Sequence, residues 1–159
     1  MTQRISLTVA AIIERDNRFL VVEEVAGGEH VINQPAGHVE NGENIVAAVI
    51  RETQEETAWQ FKPEAITGIY LWQHPVKKKS FLRVAFCGSC AAHAPEQSLD
   101  EGILRTHWLT RDELLTRSEQ LRSPMVVRCI DDYLAGNRLP CDNIQQLPLE
   151  NLLELAATV

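Results

Sequence analysis

Gly37-His38-Val39-Glu40-Asn41-Gly42-Glu43 runs through Asn44-Ile45-Val46-Ala47-Ala48-Val49-Ile50 into Arg51-Glu52-Thr53-Gln54-Glu55-Glu56, and this stretch decides the fold. Asn41-Gly42 is a turn signal, and residues 44–57 then fit a helix with Glu43 near its start, where a negative charge suits the helix dipole. Apolar side chains at 45–50 ring that helix, which predicts that it is buried on all sides. Glu52, Glu55 and Glu56 stand at i, i+3 and i+4, so their carboxylates emerge side by side where the helix leaves the core. Anions packed so closely repel one another, and a hard divalent cation reverses the sign of that interaction. Oxygen-only ligation suits Mg²⁺, with Mn²⁺ as a substitute.

On the N-terminal side, residues 4–13 are rich in β-branched types and predict a strand. Asp16-Asn17 turns the chain, and Phe19-Leu20-Val21-Val22 returns as the antiparallel partner. Residues 31–36 are extended, because Pro35 keeps Gln34 out of helical geometry, and they deliver the chain to Gly37. On the C-terminal side, strands are expected after Pro63 at 66–72 and 81–86, joined by the Lys77-Lys78-Lys79-Ser80 turn. A polar loop follows at 91–100, then a short strand at 104–109. Thr110 and Glu113 have capping-box spacing. A second helix begins near Ser123-Pro124, with proline at its first position, and ends near Gly136. Strands grouped around a buried helix, with another helix late, predict an α/β fold, a layered α/β/α sandwich with a mixed sheet. The domain spans residues 1–136. The tail at 137–159 carries Leu147, Leu149, Leu152, Leu153 and Leu155 and fits an amphipathic helix docked on the body or a partner.

The 159 residues are 45% hydrophobic and 23% charged, which is ordinary for one soluble domain. A net charge of −7 and a pI near 5.2 argue against nucleic acid or an anionic membrane as partner. No signal segment or membrane-length apolar run is visible, which points to the cytoplasm. Cys87 and Cys90 have C-x-x-C spacing without a second pair. In a strand such positions face opposite sides, so the four cysteines are expected to be free thiols. His30, His74, His93 and His107 lack metal-ligand spacing.

Gly37, Glu43, Arg51, Glu52, Glu55 and Glu56 fall on the fixed positions of the box that marks the Nudix hydrolases, which the chain resembles. An accidental match has a chance of roughly 10⁻⁷ per start position on average composition. Thr53, Ala58 and Trp59 depart from the box, where an apolar residue, a glycine and a smaller apolar residue are usual. The resemblance implies the Nudix α/β/α sandwich and hydrolysis of a diphosphate bond with Mg²⁺. It implies Glu52, Glu55 and Glu56 as metal ligands, joined by the Gly37 carbonyl. Arg51 would hold one carboxylate by a bidentate pair, and Glu43 would support the loop-helix junction. The general base is Glu55 or, from the acidic pair before the last strand, Glu101. Ala58 either strains a left-handed helix cap, at a cost of about 1 kcal/mol, or the helix ends differently.

Asn33-Gln34-Pro35-Ala36-Gly37-His38-Val39-Glu40, Phe19 to Glu24, Phe81-Leu82-Arg83 and Leu121 to Val126 are further similar to the phosphatase NudJ group. That similarity implies hydrolysis of nucleoside tri- and diphosphates, with hydroxymethylpyrimidine diphosphate as a further substrate. Arg83 is a candidate phosphate contact, Trp72 a candidate stacking partner for a base set against plain core packing, and His38 a candidate pocket residue. Lys77, Lys78 and Lys79 read as a solvated turn. Competing expectations are another diphosphate (a sugar nucleotide, a dinucleoside polyphosphate or capped RNA) and a non-catalytic nucleotide-sensing module. A small-molecule partner and a monomer or small homo-oligomer complete the reading.

Overall fold

The computed structural model describes residues 4–147. The chain runs β1 (Ile5–Arg15), β2 (Arg18–Ala26), β3 (Glu29–Asn33), β4 (Ala36–His38), α1 (Ile45–Thr57), β5 (Trp59–Gln73), β6 (Ser80–His93), β7 (Ile103–Leu109), α2 (Arg111–Leu115) and α3 (Met125–Leu134). Seven strands form one mixed sheet of two wings, β4–β1–β6–β5 and β7–β2–β3. The wings meet at the β1–β2 hairpin, whose ladder covers Glu14↔Phe19 and Arg15↔Arg18. Asp16 and Asn17 both have positive φ, 52° and 59°, as the tight hairpin turn requires. Beyond that corner β1 leaves β2. It pairs in parallel with β6 from Ile5↔Ser80 to Ile13↔Gly88 and antiparallel with β4 through Val9↔Gly37.

Two apolar layers cover the two faces, giving the expected sandwich. Val9, Ala11 and Ile13 join Ile45, Ala48 and Val49 of α1 in one cluster. Ile12, one step out of phase, joins Leu114, Met125, Cys129 and Ile130 beneath α2 and α3 in the other. Burial on both faces explains why β1 reads as a continuous apolar run instead of an alternating one.

Three expectations are corrected. Helix α1 is not buried all round, since Ala47 and Ile50 are exposed, Ile50 to 38%. Its buried stripe runs through Ile45, Ala48, Val49, Glu52 and Glu56, so two of the glutamates continue the core-facing side. Strands β5 and β6 are far longer than 66–72 and 81–86, and Pro63 lies inside β5 between bulges. Pro124 is the residue before α3 and not its first helical position.

The described part of the tail lies against the body. Leu139 bridges Ile66, and Cys141 and Ile144 pack on the α1-side cluster. Leu149, Leu152, Leu153 and Leu155, on which the amphipathic reading depends, lie outside the described residues. No helix among the described residues is long and apolar enough to cross a membrane. The four cysteines are free, and Cys87 and Cys90 face opposite layers.

Candidate active site

Asn44 starts α1. Its side-chain oxygen accepts from the N–H groups of Val46 and Ala47, donors with no partner inside the helix. The far end of α1 is closed differently. Ala58 adopts the left-handed conformation (φ 58°) and its N–H donates to the Gln54 carbonyl. Trp59 stacks on His93 with ring centroids 4.4 Å apart and meets the edge of Trp108, while the Arg15 guanidinium lies 4.8 Å from each indole. Thr53, buried where an apolar residue is usual, spends its hydroxyl on the Val49 carbonyl at 2.7 Å.

The loop before β7 completes this end. Gln97 Nε2 donates to the Gln54 carbonyl at 2.7 Å, the Asp100 N–H donates to the Glu55 carbonyl at 3.0 Å, and the Ala94 N–H donates to the Ala58 carbonyl. The Glu55 carbonyl, which the helix end leaves unpartnered, thus helps to draw the loop down over it. That contact brings Asp100 to the glutamates. Glu52, Glu55 and Asp100 each place a carboxylate oxygen within 4.8 Å of the others. Of the acidic pair Asp100-Glu101, it is the first member that joins the group, where the sequence points to the second. Glu101 is exposed in the following turn, and the group of three does not include it.

Arg51 organises the cluster from the side. It makes a two-pronged pair with Glu43, Nε to Oε1 at 2.7 Å and Nη2 to Oε2 at 3.0 Å. Its Nη1 donates to Glu52 and Glu55 at 2.9 Å each, and Nη2 donates to the His38 carbonyl at 3.1 Å. The bidentate partner is therefore Glu43, which also accepts from the Glu40 N–H and so ties the loop to the helix. Arg51 holds the Glu43 carboxyl below its usual range. Glu52 moves the other way, because burial outweighs the pull of Arg51. Burial pushes Glu56 up to about 9, despite the hydrogen bond it accepts from the Ala36 N–H at 2.9 Å.

Gly37 sits directly against this group. A Cβ placed there would lie 2.1 Å from the Glu52 Cδ, so any side chain would collide with the carboxylate. Its φ is not in the left-handed region, so close approach and not backbone freedom demands glycine.

The three proposed substrate contacts lie in different settings. Arg83 is buried to 5% exposure, with Nη1 and Nη2 donating to Gln34 and Asn33 at 3.1 and 3.2 Å, and burial lowers its pKa. His38 sits beside Gly37, its ring 6.5 Å from Phe81, and its pKa is lowered by partial desolvation on that side and by the charges of Lys79 and Arg122. Trp72 stacks on Phe81 and lines a cleft of about 480 Å³ between the β5–β6 hairpin and the segment leading into α3. Arg122, a residue without an expected role, lines the same cleft and pairs with Glu24 at 2.9 Å. The Glu24 charge also acts on Glu56 and adds to the rise of its pKa.

The NUDIX domain family matches residues 4–129. Phosphatase NudJ of Escherichia coli K12 is 38% identical over 138 residues, spanning 87% of this chain and 89% of that protein, and Phosphatase NudJ of Shigella boydii is 37% identical over the same shares. A NUDIX hydrolase from Nitrosomonas europaea superposes with a TM-score of 0.88 at 43% identity, covering 91% of this chain and 98% of that one. A MutT NUDIX hydrolase from Burkholderia pseudomallei shares the fold, with a TM-score of 0.70 at 16% identity over 82% and 98% of the two chains. A box whose Gly37, Arg51, Glu52 and Glu55 meet at one carboxylate cluster, in a chain that matches the family over most of its length, establishes that this chain belongs to the Nudix hydrolases, enzymes of phosphoric anhydride bonds.

Proposed function

We propose that the chain hydrolyses nucleoside tri- and diphosphates to monophosphates with Mg²⁺, and that hydroxymethylpyrimidine diphosphate falls within its range. The observation that carries this reading is the convergence of Glu52, Glu55 and Asp100 within 4.8 Å, against a backbone at Gly37 that no Cβ obstructs. The resemblance to Phosphatase NudJ supports phosphate as the leaving group.

The donor set fits a hard divalent cation: all side-chain ligands are carboxylate oxygens, and a carbonyl is available at Gly37. Glu52, Glu55, Glu56 and Asp100 would hold it with the Gly37 carbonyl. When bound, such an ion neutralises phosphoryl oxygens and lowers the pKa of water. The chain's own residues do the rest. Arg51 fixes the orientation of Glu52 and Glu55, so their charges are arranged before substrate arrives. Glu55, the more exposed of that pair, is the general base that takes the proton of the attacking water, in preference to Glu101. Arg122 supplies positive charge toward the leaving side of the phosphate chain, and His38 borders it. Arg83 supports the strand floor through Asn33 and Gln34.

The test is a substrate panel with Mg²⁺ that resolves phosphate from pyrophosphate, run beside Glu56→Gln. Phosphate from both nucleoside tri- and diphosphates, lost in the variant, supports the reading. Pyrophosphate from triphosphates alone moves the chain to a MutT-like pyrophosphohydrolase. Nucleotide binding without any turnover makes it a sensing module.

A further inference from the structure

The cleft beside Trp72 has a composition that phosphate recognition does not explain. Its volume of about 480 Å³ falls within the range of small-molecule sites, roughly 300–1,000 Å³. Trp72, His74 and Pro75 form one wall, and Leu121 and Ser123 from the segment before α3, with Val127 of its first turn, complete the lining. Trp72 is held in place on both sides of its position in the strand. Its ring stacks on Phe81 at 5.9 Å, 26° from parallel, and His74 leans on it at 5.4 Å.

Ser123 is the anomaly. It is 6% exposed, yet its Oγ finds no hydrogen-bond partner among the described residues. Buried hydroxyls are nearly always partnered, because leaving one unpaired costs most of its desolvation energy. The residue beside it is fully engaged: the Arg122 N–H donates to the Ile32 carbonyl, and its guanidinium pairs with Glu24. An apolar, aromatic slot with one unpaired hydroxyl at its wall suits a flat ring with a polar edge.

We propose that this cleft binds the planar heterocycle of the substrate, with Trp72 as the stacking surface and Ser123 Oγ bonding to the ring edge, so that these two residues set base preference. Arg122, which lines the same cleft, is then the cation available to the phosphate chain of a ring bound there. The proposal rests on the nucleotide reading above and adds the residues that would choose among nucleotides.

The experiment compares wild type, Trp72→Ala and Ser123→Ala in two measurements. The first is the ratio of kcat/KM for each nucleoside triphosphate to that for inorganic tripolyphosphate, which has no ring. The second is calorimetric binding of nucleoside 5′-monophosphates without divalent metal. Stacking of this kind predicts that Trp72→Ala lowers both the ratio and the binding constant by roughly five- to 150-fold for every base. Loss of one hydrogen bond predicts that Ser123→Ala lowers them by roughly two- to tenfold, and unequally among bases, so that their ranking changes. Equal losses on nucleotide and tripolyphosphate, or an unchanged ranking with unchanged binding, overturn the proposal while leaving hydrolysis intact. If wild type binds monophosphates in a Trp72-dependent way but hydrolyses nothing, the cleft assignment stands and the hydrolase reading falls. If tripolyphosphate is not a substrate, the calorimetric arm alone decides.

Discussion

Glu52 occupies the space a side chain at Gly37 would need, and Arg51 reaches Glu43, Glu52 and Glu55 at once. Both contacts give sharp outcomes. Gly37→Ala forces a methyl group to within 2.1 Å of the Glu52 carboxyl carbon. Only the flexible end of the Glu52 side chain stands in the way, so it can swing aside with little loss of stability, and that displacement should abolish most hydrolysis; denaturant unfolding and phosphate release measure the two effects. Arg51→Lys keeps the charge but loses the two-pronged pair with Glu43. It should lower kcat by at least about tenfold, since one lost charge-assisted hydrogen bond is worth about 1.5–3 kcal/mol, with a smaller effect on KM. At this scale the sequence was informative because the box residues are local: all lie along one turn and one helix, and Arg51 meets its partners one, four and eight positions away. Asp100 was not legible. Its place depends on a loop that folds over the end of α1 to satisfy carbonyls there, and no spacing in the sequence encodes that closure.

Among the elements, α1 ends on a residue that dislikes its conformation. Ala58 holds φ at 58° where glycine would be unstrained. Ala58→Gly should therefore stabilise the protein by about 1 kcal/mol, seen as a rise in Tm of roughly 2–4 °C for a chain of this size. Of the two endings that the box left open, the left-handed cap is the one formed. The lengths of β5 and β6 were not foreseen. Register shifts between Trp59 and Phe61, Pro63 and Ala65, and Ile66 and Gly68 break the two-residue alternation by which a strand is read. Pro63 also looked like a boundary, but β5 lies at the edge of the sheet, where a missing N–H donor is tolerated. The all-round burial expected of α1 failed for a related reason. Apolar residues at 45–50 cover every direction of the helix, and only the sheet's position decides which of them it covers.

For the whole molecule, burial of acid groups links stability to pH and to divalent ions. The folded pKa of Glu56 is about 9, above its ordinary value of 4.5, and Glu52 shifts the same way. The folded state therefore holds protons that the unfolded chain releases, and the stability this brings is present at low pH and lost as pH rises toward 9. Without divalent ions, Tm should fall between pH 6 and pH 9. Added Mg²⁺ should raise Tm more at pH 9 than at pH 6, where a proton must first leave; a thermal shift series with and without chelator measures both. The thiols report on packing in the same way. Cys87 and Cys129 are buried and Cys90 and Cys141 partly so, so a thiol reagent should modify at most Cys90 and Cys141 in the native protein and all four after unfolding.

One strand holds these parts in register. β1 pairs with β6 along its length, with β4 opposite Val9 and with β2 at its end, and its alternate side chains fill both apolar layers. Adding or deleting one residue between Val9 and Ile13 would exchange the two layers' side chains and slide Gly37 away from Glu52. Length variation over generations therefore belongs to the hairpin tips and the loop before β7. Along β1, descendants can exchange one apolar residue for another, but they inherit its length unchanged.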